Sequence, residues 1–557
     1  MIYVGANDGM LHAFNGGFFN STDSSFNLQR STETPFALGQ EIWAYIPYNL
    51  LPHLHWLTEP TYRDQIHVSY MDLPPRVFDA RVFFMSDGVT PLDNSTYPDG
   101  WGTILVAGMR FGGGAIQVDM DKTDGKNFDA TSDRITSSAY VIMDITNPEA
   151  PPRLLGEIAM PRQGFTTCFP TVIPMATANA RTDQQNQWYL IFGSGPADAN
   201  GNANPELIQK AVSNQNGQLY VLDLKALASK KQVQTLQSNG QFKAGGHTFA
   251  TTESGSFISD PATVDLDIGS NRNASARFKA DVVYYGTIAG DMTQPRGTMY
   301  RLITKNQGAD SSRTVNWIGN STLIRPKQPI AASPSITTDD EGRVWVYFGT
   351  GRFFNRPEIK QTRRMDFYGI REPVDASNNI EWREVKLEEL FNSTDIVVTK
   401  GSCVDGAYNQ NCVNVLGVTP PTWQGLLDAV NAKEGWVHTM SNDPLERVLG
   451  KVVFTGGAVT FTSYAPSENV CEHEGRSYLW GFYYKTGTSY FTPIFRDTNI
   501  FSKSVSLGRG IAPAAVVHKG RGGDSKVIAS TSTGAVVEIP FNEPHPIRTG
   551  QIFWREN

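Results

Sequence analysis

The residues that could do chemistry in this chain are few, and most stand in the wrong spacing to do it. Asp119, Asp121, Asp124 and Asp129 fall within a stretch, DKTDGKNFD and its flanks, that mimics a calcium loop. Calcium is a hard cation that takes six to eight oxygen ligands, and its loops end on a well-placed carboxylate. None stands at the matching end position here, so the stretch reads as a solvated turn. His53, His55 and His67 have the residue types of a metal triad. The setting Pro52-His53-Leu54-His55-Trp56 is apolar and aromatic, however, and reads as a packed or surface pair. No Gly-x-Ser-x-Gly elbow and no P-loop occur. The cysteines, Cys168, Cys403, Cys412 and Cys471, form no C-x-x-C pair, which argues against zinc and against a thioredoxin-like redox motif. Cys403 and Cys412 bracket VDGAYNQN, and a disulfide between them would close that loop and suit an oxidising compartment. Arg521-Gly522-Gly523-Asp524 misses the integrin tripeptide by one glycine.

The elements that must position these residues are strands. Aromatic residues make up 11% of the 557, with 51 Gly and 32 Pro, the composition of many short strands broken by turns. A net charge of −7 without a Lys/Arg cluster excludes a nucleic-acid surface. No segment reaches the roughly 20 apolar residues that span a bilayer. The opening, MIYVGANDGM, has neither a charged n-region nor an apolar h-region and enters a strand pattern at once. It reads as the start of a mature fragment or excised domain.

One pattern recurs: an apolar run, a glycine or small residue, a turn, and a second apolar alternation. It stands at Gly5, Gly108, Gly193, Gly286, Gly349 and Gly456, with a last copy around Thr531. The glycine is expected to supply the positive-φ turn between two strands. Several copies have a leading strand introduced by proline, as in CFPTVIPM, SDPATVDLD, SPSITTDD and APAAVVHK. Such blades bury their faces only against each other, so the fold expected is all-β, a seven-bladed β-propeller closed as a ring. The whole of 1–557 is expected to be one domain with long inserted loops. A helical insertion lies within about 384–435, where Trp423, Leu426, Leu427 and Val430 stand at helical intervals. Closure is expected from the C-terminal strand near Trp554 lying beside the strand near Tyr3.

The first copy, Tyr3-Val4-Gly5-Ala6-Asn7-Asp8-Gly9-Met10-Leu11-His12-Ala13-Phe14, resembles the opening blade of the PilC/PilY family of type IV pilus tip proteins. Further similarities follow in the family's order: Trp43-Ala44-Tyr45-Ile46-Pro47, then His67, Tyr70 and Asp72 before Pro75 and Asp79. They continue through Phe348-Gly349-Thr350-Gly351-Arg352-Phe353, Gly435-Trp436, Glu446-Arg447-Val448, Val453-Phe454, Phe461-Thr462 and Cys471 before Gly475. They end at Phe553-Trp554-Arg555-Glu556. The resemblance is to the family's C-terminal propeller. It implies a factor that supports pilus assembly and retraction and mediates adhesion at the pilus tip. The partners implied are minor pilins and a host or abiotic surface. The location implied is the bacterial surface, reached through the periplasm and outer membrane.

The resemblance also implies a calcium loop of the form Asp-x-Asp-x-Asp-x-x-x-Asp in one blade. Asp265, Asp267 and Asp281 align with its ligand positions, and Asn271 or Asn273 would add carbonyl oxygens. The middle Asp is absent, and the insert GSNRNASARFK brings Arg272, Arg277 and Lys279. The enzyme alternative, a quinoprotein-dehydrogenase-like propeller, matches in shape. Such enzymes typically have an adjacent Cys-Cys pair and a repeated tryptophan motif, which are missing here, so a non-enzymatic binding module is the reading taken.

Overall fold

In the computed structural model the described residues are 1–545 without 21–24, 28–35, 63–66, 86, 89, 122–124, 126–127, 130–131, 176–186, 230–245, 267–279, 292, 305–318, 362, 402–408, 468–474, 496–500 and 520–524. Their strands form seven sheets of three or more strands, antiparallel except for one short edge strand, one sheet for each copy of the sequence pattern. The first holds Ile2–Gly5, Leu11–Phe14 and Glu41–Tyr45. The second runs through Arg76–Arg81, Trp101–Gly108, Tyr140–Asp144 and Arg153–Ile158. The third comprises Thr171–Met175, Gln187–Gly193, Gln218–Asp223 and Gly246–Ala250.

Ala262–Val264, Val282–Ala289, Met299–Ile303 and Gly319–Ile324 belong to the fourth. The fifth is Ser335–Thr338, Val344–Gly349, Asp366–Arg371 and Gly435–Thr439, with Phe391–Asn392 added parallel to the last. In the sixth, Val453–Thr455, Ala458–Ala465, Arg476–Tyr483 and Ser504–Arg509 pair in turn. Val516–Lys519, Ser525–Ser530 and Val536–Phe541 make the seventh. The segment near Trp554 lies outside the described residues.

Two compact units divide the chain. One, residues 1–261, 267–281 and 304–319, holds the first three sheets and two apolar clusters. The other, residues 262–266, 282–303 and 320–557, holds the rest and a large aromatic cluster that includes Trp345, Trp423, Trp436 and Trp480. Central strands such as Tyr140–Asp144, Val282–Ala289 and Ala458–Ala465 are buried at every residue. Covered on both faces, a strand gains from continuous apolar sequence and loses its alternation.

The strand glycines do different work from the turns expected of them. Gly349 closes Val344–Gly349 without a left-handed φ. Its requirement is close approach: a Cβ there would lie 2.4 Å from Val448 Cβ, where the chain enters the sixth sheet. Gly193 meets Ile258 in the same way, at 2.3 Å. Gly286 sits inside Val282–Ala289, and Gly456 does form a turn, with φ +50° ahead of Ala458–Ala465. In register, Gly5, Gly108, Gly193, Gly286 and Gly349 nevertheless hold one place, each opposite the first or second residue of the strand that follows in its sheet, and Gly456 alone departs from it.

The insertion expected at 384–435 contains the hairpin Val397–Lys400 with Val413–Leu416 and the helix Trp423–Asn431. Thr422 caps that helix, its Oγ1 accepting from the Gly425 amide at 3.1 Å. Trp423, Leu426 and Val430, spaced along one helical face, are buried in the aromatic cluster.

Candidate functional site

Strand register places the ends of the expected calcium loop. Val264 pairs with Val282, so Asp265 directly follows one strand and Asp281 directly precedes the next. Asp281 is fully buried, and its carbonyl accepts from the Thr304 amide at 2.9 Å. Asp265 is half-buried. Asp267, Asn271 and Asn273 lie outside the described residues. The side chains at the two ends are hard oxygen donors, the chemistry that calcium takes.

The second acidic stretch is organised by a residue the sequence did not single out. Carboxylate oxygens of Asp119, Asp121 and Asp133 lie within 4.8 Å of one another. Asp133 is buried and accepts from the Met120 amide at 2.7 Å and the Asp129 amide at 2.6 Å. Asp119 accepts from the Asp121 amide at 3.1 Å. The carboxylates thus serve as caps for backbone donors, and the solvated turn has a buried carboxylate at its centre. Asp124 lies outside the described residues. Asp133 sits at the base of the hairpin Ile116–Val118 with Arg134–Thr136, and only that pairing brings it to Asp119.

The histidines do not converge. His53 is buried and its Nε2–H donates to the Gly114 carbonyl at 2.9 Å; burial holds its pKa below the ordinary value. His55 donates to the Pro52 carbonyl and tilts against Trp56, while His67 lies against Tyr62. The short 3-10 helix Tyr48–Thr58 that carries His53 and His55 is anchored by Glu157. This buried carboxylate accepts from Tyr45 Oη (2.7 Å), the Tyr48 amide (2.6 Å), the Asn49 amide (3.1 Å) and Asn49 Nδ2 (2.7 Å).

Cys412 is in a disulfide, whereas Cys168 is a free, buried thiol. Cys403 and Cys471 lie outside the described residues.

The motifs that carry the family resemblance build the scaffold. Arg352 and Glu358, both buried, pair at 2.6 Å, and Arg447 Nη1 donates to the carbonyls of Arg352 (3.1 Å) and Glu358 (3.2 Å). Glu446 accepts from Trp480 Nε1 at 2.6 Å and from Ser463 Oγ; burial raises its pKa despite both bonds. Trp436 Nε1 donates to the Tyr484 carbonyl at 2.8 Å. Arg301 and Glu372, each fully buried, form a bidentate pair at 2.7 Å, with Tyr284 Oη donating to the same carboxylate. Sequence reading missed this last pair because its members stand 71 residues apart.

Successive antiparallel sheets built from consecutive strands are the make-up of a β-propeller, and the chain's fold is of that class. No family model matches the sequence. The chain is 22% identical to the type IV pilus biogenesis factor PilY1 of Pseudomonas aeruginosa (strain UCBPP-PA14) over 87% of its length. It is 21% identical to a PilY1 homolog of Xylella fastidiosa over 86% of its length. In structure it is similar to the crystallised C-terminal domain of Pseudomonas aeruginosa PilY1, with a TM-score of 0.53 and 17% identity, covering 97% of this chain and 92% of that one. The resemblance to the PilC/PilY family is borne out, and it is to the PilY1 C-terminal domain. The chain spans 36% and 25% of the length of those two curated relatives.

Proposed function

We propose that this protein is a type IV pilus biogenesis factor, acting as a binding and assembly domain and not as an enzyme. The observation that carries the reading is similarity along 86–87% of the chain to proteins named for that role. The fold agrees with it, being similar to the C-terminal domain of one such protein. The finer reading has the domain at the pilus tip on the cell surface, in contact with minor pilins and promoting attachment to a host or abiotic surface. Calcium held by Asp265, Asp267 and Asp281, with Asn271 or Asn273 adding oxygens, would brace the loop between two strands of the fourth sheet. Its chemical contribution would be charge neutralisation among those carboxylates. No helix among the described residues is long and apolar enough to cross a membrane.

The test is deletion of the gene in its own host, with surface pili counted by electron microscopy and retraction scored as twitching. Loss of surface pili, restored by the intact gene, is the expected result. Unchanged piliation and twitching in the deletion strain would overturn the reading.

A further inference from the structure

The fifth sheet carries a cationic surface that the sequence does not display as a cluster. Residues 350–365 join Val344–Gly349 to Asp366–Arg371, and Arg356, Lys360, Arg363 and Arg364 stand exposed there. Glu358 lies among them in sequence but is fully buried, its carboxylate accepting from Arg352 Nε and the Phe354 amide, each at 2.6 Å. Asp366 is half-buried, and its oxygens accept from Thr439 Oγ1 at 2.7 Å and Tyr368 Oη at 3.2 Å. A fifth cation comes from another loop. Gln328 Nε2 donates to the Arg364 carbonyl at 2.9 Å and Gln328 Oε1 accepts from Thr350 Oγ1 at 2.6 Å, which brings the exposed Lys327 to this surface. Among the described residues none of the five cations forms an ion pair.

The surface is held in place by its own bonds. Arg447 Nη1 donates to the carbonyls of Arg352 and Glu358, Asn355 caps the short 3-10 helix Arg356–Lys360, and Arg364 Nη1 donates to the Met440 carbonyl. Four residues of 3-10 helix rise about 8 Å, close to one Debye length at physiological salt. An anionic chain therefore meets the fields of Arg356 and Lys360 together.

The surroundings decide the kind of anion. Lipid surfaces are gripped by apolar side chains as well as by charge, and protein interfaces have an apolar or aromatic centre. Among the described residues no large apolar side chain between 325 and 366 is exposed. Single-stranded nucleic acid stacks its bases on open aromatic rings. Here Phe353 is covered by Tyr464 at 5.6 Å and Arg447 at 5.4 Å, and Phe354 by Arg352 at 5.8 Å. Duplex binders engage roughly six to ten phosphates, more than this surface can meet in a chain of net charge −7. A hydrophilic chain with anionic groups spaced along it fits what is left. We propose that Lys327, Arg356, Lys360, Arg363 and Arg364 form a binding surface for an acidic polysaccharide. Guanidinium forks take carboxylate oxygens in pairs, and the lysines add point charge. The inference goes beyond the pilus reading and stands on this loop alone.

The test titrates the full chain into fluorescein-labelled oligosaccharides of equal length, one from heparin and one from polygalacturonate, and reads anisotropy. Dextran and a short DNA duplex are the controls. Saturable binding of either acidic oligosaccharide is expected, weakening between about 50 and 200 mM salt, and the tighter of the two names sulfate or carboxylate as the group bound. The triple variant Arg356→Gln, Lys360→Gln, Arg363→Gln should bind about tenfold more weakly. Lys526→Gln, on the seventh sheet, should bind as the parent does. The salt dependence is read on the parent protein and does not need the variant to fold. No binding of either oligosaccharide, binding that ignores salt, or an equal loss in Lys526→Gln would overturn the proposal. Equal binding of dextran or tighter binding of the duplex would overturn it as well. Because the readout is binding by the purified protein and not piliation, such a failure leaves the pilus assignment standing.

Discussion

The buried Arg301–Glu372 pair is matched bond for bond. Arg301 donates through Nε and Nη2 to both oxygens of Glu372, and its remaining donors reach Ser321 Oγ and the carbonyls of Thr322, Trp382 and Arg383. Removing one partner of such a pair strands the other charge in the interior. Glu372→Ala is therefore expected to lower stability by about 3–5 kcal/mol, read from urea unfolding of the purified domain. A loss within error would mean that water or rearrangement takes up the freed guanidinium.

His438 behaves differently. It is buried against Trp480 and Phe482, and burial, with the Lys503 ammonium nearby, lowers its pKa to about 3. Below pH 6.5 the unfolded chain binds a proton that the folded chain refuses, so stability falls as pH drops from about 6.5 towards 3. His438→Phe should flatten the acid limb of stability against pH in that window. An unchanged slope would assign the acid sensitivity to other groups.

At the scale of elements, Trp423 is the largest of the side chains that dock the insertion helix Trp423–Asn431, beside Leu426 and Val430. Trp423 meets Tyr490 and Phe491 edge-on at 5.4 Å and tilts against Tyr483 at 5.5 Å. Trp423→Ala is expected to cost about 3–5 kcal/mol if the helix stays docked. If the helix detaches, near-ultraviolet circular dichroism will lose signal while the sheets persist. The insertion also carries the disulfide of Cys412, and peptide mapping without reduction is expected to recover it joined to Cys403. A Cys412–Cys471 peptide would refute that pairing.

The helix was legible in sequence because Trp423, Leu426 and Val430 repeat at helical spacing, and the sheets because each copy repeats an apolar run. The task of the strand glycines was not legible. Gly193 and Gly349 are set by side chains of Ile258 and Val448, far along the chain, and a sequence shows the glycine without its neighbour. Asp133 escaped for the same reason: only the pairing of Ile116–Val118 with Arg134–Thr136 brings it to Asp119.

On the scale of the whole molecule, the open matter is whether a metal stabilises the fold. The ends of the expected loop, Asp265 and Asp281, flank a strand pair whose register is fixed by Val264 and Val282. A cation bound there would link the two strand ends through side-chain oxygens and would be absent from the unfolded chain. Any ligand that binds only the folded state adds stability that grows with the logarithm of its concentration. With the middle Asp missing and Arg272, Arg277 and Lys279 nearby in sequence, affinity in the micromolar range or weaker is expected, to order of magnitude. At free calcium about one hundred times Kd the gain is about 2.7 kcal/mol. Thermal unfolding in EGTA and in millimolar calcium should then differ by a few degrees, and Asp267→Ala should remove the difference without lowering the midpoint in EGTA. Magnesium should not substitute, because it demands tighter octahedral geometry and gives up its water reluctantly. Identical melting with and without calcium would mean that the propeller stands without the metal. A calcium effect that survives Asp267→Ala would move the site elsewhere, with the Asp119, Asp121 and Asp133 carboxylates the next to be substituted.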